Sequence, residues 1–444
     1  MLVKNKNHFD YIYKYRIKSY PMNLRLIATL IFCFMLLISN RWLSYEDGIT
    51  ILKAADTHSY MTIAKAAPAL PVLTTSETML PTNHSARFIV PYLAGAIAHG
   101  IGVSEERMFL VFTLLFCGIV VWACYRIFAE CGLNDMQVAP LMALLIFNPY
   151  TFRYYLTVPA MVNDIVFVAG LALTLLGLVR GAERQGFWII LAGSIIAIAG
   201  RQNALVYLPA LAAWMLWGEK WRGTSLGKRL GQFVIAAGSM IAVYVVIGRV
   251  IASFSVQGME GDALTGLVRW AVAPSAGKFK VFAEYGLRTV IALMFPVCIL
   301  LGMAFAQRLR GISFQQFFAQ MPRDFWWAML FVAALYGFAF LGGPTLFMSG
   351  VTRYVSHAFP AMLCALAIAM RHYNSFAGIG GALMIWFVGV TFSSSLHHMT
   401  TRFGDPTSDN SSYFAVMYCI LAIFAGLLTF LFVRKELKTH STNL

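Results

Sequence analysis

Residues 160–179 read Ala-Met-Val-Asn-Asp-Ile-Val-Phe-Val-Ala-Gly-Leu-Ala-Leu-Thr-Leu-Leu-Gly-Leu-Val. This stretch has the length of one helical bilayer crossing, about 20 residues, and its one charge, Asp164, stands near its head. An ionisable group inside a crossing is costly and marks either a function or an internal partner. Comparable apolar runs recur near 24–43, 88–102, 107–128, 137–148, 186–200, 203–218, 232–252, 288–306, 326–342, 355–370, 376–394 and 412–433. Hydrophobic residues make up 59% of the chain and charged ones 12%, and no Pro/Gly/Ser linker sets off a soluble domain. The expected fold is therefore all-α, a polytopic transmembrane protein of about 12–13 spans.

The positive charges orient it. Lys4, Lys6, Lys14, Arg16, Lys18 and Arg25 precede the first run, which places the N-terminus in the cytoplasm. Further clusters stand at Lys220, Arg222, Lys228 and Arg229, at Arg308, Arg310 and Arg323, and at Arg434, Lys435 and Lys438. Thirteen crossings from a cytoplasmic start would leave the last, basic segment outside. One run must then fail to cross, and the shortest, 137–148, is the expected one, entering and leaving on the same side. The organisation that follows is a cytoplasmic tail over 1–23, one transmembrane domain over 24–433 with a first external loop at 44–87, and a basic tail over 434–444. The loops at 149–159, 253–287, 343–354 and 395–411 share the external face with that first loop.

The net charge of +15 is distributed at the ends of apolar runs rather than over one soluble face, so no nucleic-acid partner is expected. Membrane lipids are the expected surroundings. The seven cysteines include no CxxC pair and no dense cluster, and read as small packing residues. His397 and His398 with Asp405 and Asp409 invite a metal reading. Adjacent histidines on a regular element do not face one ion, and no metal site is assigned.

The unusual polar residues fall on one predicted face. In the first loop, Asp56-Thr-His58-Ser-Tyr60 puts the acid and the phenol at i and i+4, one above the other on a helix lying along the membrane. A carboxylate partly desolvated at that boundary suits a general base; it also suits a helix N-cap, and the two roles are compatible. His84-Ser-Ala-Arg87 opens the next apolar run. An arginine at a helix start opposes the macrodipole, so it calls for a phosphate or an acid such as Asp56, or reaches out to lipid headgroups. Asn148 to Tyr155, with Arg153, is an aromatic connection leading to Asn163 and Asp164. Arg201-Gln-Asn203 interrupts two apolar runs without room for a loop, either as a functional group or as the internal partner of Asp164. Finally, Arg353-Tyr354-Val-Ser-His357 follows a glycine-containing lead-in, and the planar fork of arginine favours phosphate.

Asp56 to Ala64 after one N-terminal span, Arg87-Phe-Ile-Val-Pro91-Tyr-Leu at the second, and the later Asn148-Pro-Tyr, Arg201-Gln-Asn-Ala-Leu and Arg353-Tyr354 segments together resemble the bacterial polytopic C-type glycosyltransferase superfamily. The resemblance covers most of the chain through short motifs. It implies an enzyme of the bacterial inner membrane whose site faces the periplasm or exterior and which takes a sugar from a polyprenyl-phosphate carrier to a glycan, lipid or protein acceptor. It implies Asp56 as general base, and Arg87, Arg201 and Arg353 as the groups that hold the lipid phosphate. Tyr60, His58, His84, Arg153, Asp164, Asn203, Tyr354 and His357 complete the expected substrate-binding set. A large soluble C-terminal domain like that of oligosaccharyltransferase-like members is not expected. The chain has no adjacent Asp-Glu or Asp-x-Asp pair after the first span except Glu46-Asp47, so a divalent cation is not expected to be required. The rival from another class is a transporter or flippase of a lipid-linked or anionic solute, with the same arginines along its path. No internal repeat supports it.

Overall fold

The computed structural model describes residues 55–70, 80, 82–147, 152, 154–157, 159–254, 272, 278–343, 351–374 and 411–441. Among these residues the fold is all-α, with no strand. The helices used below are α1 Ala55–Ala66, α2 Ile89–Ile101, α3 Glu105–Glu130, α4 Asp135–Phe147, α5 Val162–Arg180, α6 Arg184–Gly200 and α7 Leu208–Trp217. They continue as α8 Leu226–Ile251, α9 Lys278–Ile291, α10 Met294–Arg308, α11 Arg323–Leu341, α12 Val351–Ser356, α13 Phe359–His372 and α14 Ser411–Ser441.

Among the described residues, four helical stretches are long and apolar enough to cross a membrane: Glu105–Glu130, Pro159–Arg180, Leu226–Ile251 and Arg323–Leu341. A fifth is added if Tyr285–Ile291 and Met294–Arg308, bent by 69°, form one span. The remaining apolar helices there are shorter, because polar breaks such as Arg201 cut the runs that the sequence presents as full crossings. The candidate spans at 24–43 and 376–394 lie outside the described residues. The chain is a multi-pass membrane protein.

The stretch 160–179 becomes the centre of the bundle. Helix α5 is buried along almost its whole length, while α8 presents Val234, Ile235, Ile241, Val245 and Val246 outward, as a helix facing lipid does. What lets α5 sit so deep is its seam with α6. Glycines fall at 170 and 177 on α5 and at 186, 193 and 200 on α6. A Cβ added at Gly170 would lie 2.3 Å from the Ala197 nitrogen, and one at Gly193 would lie 2.6 Å from the Thr174 nitrogen. Only bare Cα positions admit backbones that close, and in lipid such packing replaces the hydrophobic effect as the force between helices. The seam runs antiparallel, so the residue after α6, Arg201, arrives beside the head of α5.

Specific contacts divide the helix ends into two groups. The Thr113 hydroxyl donates to the Pro159 carbonyl at 3.3 Å, and Arg180 Nε meets Glu130 Oε1 at 3.1 Å, so α3 and α5 run the same way. The Trp221 indole donates to the Leu178 carbonyl at 3.1 Å, Lys220 Nζ to the Glu130 carbonyl at 3.4 Å, and the Glu219 amide to Asp324 at 3.0 Å. Arg371, at the end of α13, packs on Gly132, and Tyr373 stacks on Phe317 with centroids 4.5 Å apart. Gly302 of α10 packs on Gly426 and Thr429 of α14, and Gly426 on Cys298, so these two helices run in parallel. Lys220, Arg308, Arg323, Arg371 and Arg434 therefore collect at one end of the bundle, and Asp164 and Arg201 stand at the other.

This arrangement changes which run fails to cross. Arg87, just before α2, bonds Tyr60, and the neighbouring Ala86 carbonyl accepts the Gln202 side-chain amide. At the far end of α2, His99 Nε2 meets Glu105 at the head of α3, at 3.1 Å. Both ends of α2 thus belong to the Asp164 end, and α2 lies across that end instead of traversing the bundle. Between Asn134 and Pro159, by contrast, the chain passes from one end to the other, so 137–148, expected to turn back, belongs to a passage through the bundle. Composition concealed this, since α2 is as apolar as a crossing; its 13 residues rise only about 20 Å. Among the described residues, the part of the chain that lies at the Asp164 end before α3 therefore runs on past residue 87 to about 104. Among the described residues the six cysteines are free.

Candidate functional site

Asp164 sits in the first turn of α5, where a carboxylate complements the helix dipole. It is 1% exposed. Arg201 follows the end of α6 in extended backbone (φ −152°, ψ 133°) before a 3-10 turn over Gln202–Tyr207, and this break aims its side chain back at α5. Arg201 Nε donates to Asp164 Oδ1, with the guanidinium 2% exposed. From the opposite side, α12 brings Arg353 Nε to 3.4 Å from Asp164 Oδ2, and the turn after α12 brings His357 Nε2 to 3.6 Å from the same oxygen. The ring of His357 is buried against Phe167, with centroids 5.1 Å apart.

Tyr354 lies between the two cations. The Arg201 and Arg353 guanidinium carbons stand 4.8 Å and 5.0 Å from its ring centroid, and Arg353 Nη2 reaches its hydroxyl at 3.3 Å. Arg353 Nη1 also contacts the Met161 sulfur at 3.4 Å. Burial alone would raise the Tyr354 phenol. The positive charges of Arg201, Arg353 and Arg87 outweigh burial and the opposing charge of Asp164, and bring it down to about 7. Arg87 in turn donates to the Tyr60 hydroxyl at 2.8 Å, which ties α1 to the cluster. Beside this bond, Ser59 Oγ and His84 Nδ1 are 2.9 Å apart, and the rings of Tyr60 and His84 lie 5.9 Å apart.

Most of the expected residues thus converge. Tyr60, His84, Arg87, Asp164, Arg201, Arg353, Tyr354 and His357 form one network at one end of the bundle. The pairing of Arg201 with Asp164, one of two readings open from sequence, is present. His58 is exposed: it stands two residues before Tyr60, and a helix turns it to another side. Asn203 lies close in sequence to Arg201, yet its carbonyl oxygen finds no hydrogen-bond partner among the described residues. Arg153 lies outside the described residues. Asp56 is the second residue of α1, one turn before Tyr60, as its i, i+4 spacing predicts; its side chain is outside the description, as are Glu46, Asp47 and the His397 to Asp409 segment. Among the described residues, no three of His, Cys, Asp and Glu assemble as a metal would require.

Sequence reasoning missed three supporting residues. Gln202 ties the Arg201 break to Ala86, Ser59 contacts His84, and Met161 contacts Arg353. None carries a charge or a periodic signal that would single it out. The network also contains buried polar atoms with no hydrogen-bond partner among the described residues: Arg201 Nη2, both His357 nitrogens and the amide of Asn163. Native interiors leave few such groups unpaired. No protein-family model matches the chain, and no curated protein is significantly similar to it.

Proposed function

We propose that the chain is a membrane glycosyltransferase that moves a sugar from a polyprenyl-phosphate carrier to a glycan, lipid or protein acceptor at the periplasmic face of the bacterial inner membrane. The observation that carries this reading is the gathering of Arg87, Arg201 and Arg353 around Tyr354 and Asp164, at the end of the bundle opposite the basic clusters. The positive-inside rule makes the basic end cytoplasmic, so the arginine site faces outward.

In the reaction the acceptor hydroxyl oxygen attacks the anomeric carbon as the bond from that carbon to the phosphate oxygen breaks. The bonding electrons pass to the phosphate, where negative charge grows. Guanidiniums held in place beforehand stabilise that charge without reorganising during the step. The acceptor's proton needs a base. Asp164 is a poor one, since Arg201, Arg353 and His357 occupy its oxygens deep in the bundle. Its role is to hold the two arginines in position. Asp56, at the start of α1 and one turn from Tyr60, is the carboxylate available to take the proton.

The test is Asp56→Asn in membranes supplied with a lipid-linked sugar. The expected outcome is a loss of transfer of 100-fold or more, about the scale of a general base, with insertion and folding unchanged. Full activity in that variant would remove Asp56 from the mechanism. Purified protein that carries the lipid across liposome membranes without making a glycosidic bond would replace the enzyme reading with a transporter.

A further inference from the structure

The surroundings of Tyr354 carry more than a binding role. Its ring has a guanidinium within 5.0 Å from each of two separate segments, the break after α6 and α12. One of those guanidiniums also donates to its hydroxyl. The charged and titratable groups around it, among the described residues, are Arg201, Arg353, Arg87, Asp164 and His357. Arg201, Arg353 and Arg87 are cations that favour a phenolate. Asp164 opposes it, but is itself paired with Arg201 and Arg353. His357 meets the Tyr354 ring edge-on at 5.9 Å between centroids. A phosphate ester docking on the same arginines would bring a second anion to within a few ångströms of the phenol oxygen, and two such anions disfavour each other.

We propose that Tyr354 is the proton-exchanging member of this site: its phenol yields a proton to water when the arginines alone face it, and takes one back when a phosphate diester docks on them. The O–H bond broken in the first state is re-formed in the second, and the net charge of the cluster changes little on binding. The inference rests on the proposal that the arginines receive a phosphate. Its consequence is that donor binding is coupled to proton uptake, so affinity falls as pH rises through the range where the phenol ionises. The folded phenol ionises near 7 and an unfolded one near about 10. The folded state therefore binds fewer protons between those values, and Tyr354 adds stability as pH rises across that window and loses it as pH falls back through the lower value.

The experiment uses detergent-purified full-length protein and dibutyl phosphate, a diester that stays singly charged throughout. Calorimetric titration in two buffers of different ionisation enthalpy should give an uptake of about one proton per diester at about pH 8.5, falling toward zero at about pH 5.5. In the ultraviolet, the spectrum of the protein minus that of Tyr354→Phe should contain one phenolate that disappears when diester is added. Diester binding with no proton uptake at the higher pH would overturn the role of Tyr354 and leave the arginine site standing. No diester binding by the unaltered protein would overturn the phosphate reading and this inference with it. The calorimetric arm needs no variant, so a poorly folded Tyr354→Phe leaves the test intact.

Discussion

The two ends of the bundle each hold arginines and a carboxylate, and they use them in opposite ways. At one end Arg201 and Asp164 are 2% and 1% exposed, and His357 beside them is 1% exposed. At the other, the Glu130 and Arg180 side chains are 24% and 18% exposed, and Arg126, also paired with Glu130, is 41% exposed. The rim of charge at this end follows from helix ends: its cations complement the carbonyl ends of α5 and α13. The buried cluster follows from no such rule. Charges taken out of water carry a desolvation penalty that mutual attraction offsets only with good geometry, and the proposed phosphate site would account for a cluster kept at that cost.

The sharpest way to break the comparison is to neutralise the central carboxylate. Asp164→Asn leaves Arg201 and Arg353 buried without their shared counter-charge. Breaking a buried pair from one side costs about 3–5 kcal/mol. The expected result is a large drop in thermal stability in detergent, with much of the protein misfolded, and partial recovery when dibutyl phosphate is added, since a ligand bound only by the folded form stabilises it. A variant as stable as the parent would mean that the cluster is solvated and that the two ends do not differ in kind.

A smaller effect is expected where the seam carries Arg201 to its place. Gly193→Val puts a branched side chain where even a Cβ would stand 2.6 Å from the Thr174 nitrogen and 2.7 Å from the Gly170 carbonyl oxygen. Overpacking of this sort costs about 1–3 kcal/mol, and here backbone, not a flexible side chain, is in the way. Separation of α5 from α6 would also displace Arg201 from Asp164, so the proposed transfer activity should fall more than stability does. Equal losses of both would show that the seam supports the fold without positioning the site.

The sequence declares parts of this arrangement and hides others, for physical reasons. Arg201, Arg353 and Asp164 were legible because a charge within apolar sequence needs a reason wherever it lies. Tyr60 was legible through its helical spacing from Asp56. The path of α2 was not legible, because hydropathy reports what a helix is buried in and not its direction. A 13-residue apolar helix packed on α1 looks the same as a short crossing. The seam glycines at 186, 193 and 200 repeat every seven residues, a signal present in the sequence but diluted by 35 glycines along the chain. Ser59, Gln202 and Met161 act through contacts that only the folded backbone creates.

The smallest effect is expected at the opposite end, and it calibrates all the others. Glu130→Gln removes the charge that Arg180 meets at 3.1 Å and Arg126 at 3.5 Å. Partly exposed pairs of this type contribute about 0.2–1 kcal/mol. Glu130 also lies in the last turn of α3, where its negative charge opposes the helix dipole, so neutralising it brings a gain that offsets part of the loss. Lys220 bonds the Glu130 backbone carbonyl, which the substitution leaves in place, and glutamine keeps an oxygen for Arg180. The melting temperature should therefore stay near that of the parent, and the remaining difference should shrink as salt screens the pair. A loss comparable to that of Asp164→Asn would show that Glu130 is as deeply committed as Asp164. Burial would then no longer distinguish a charge kept for chemistry from one kept for topology in this protein.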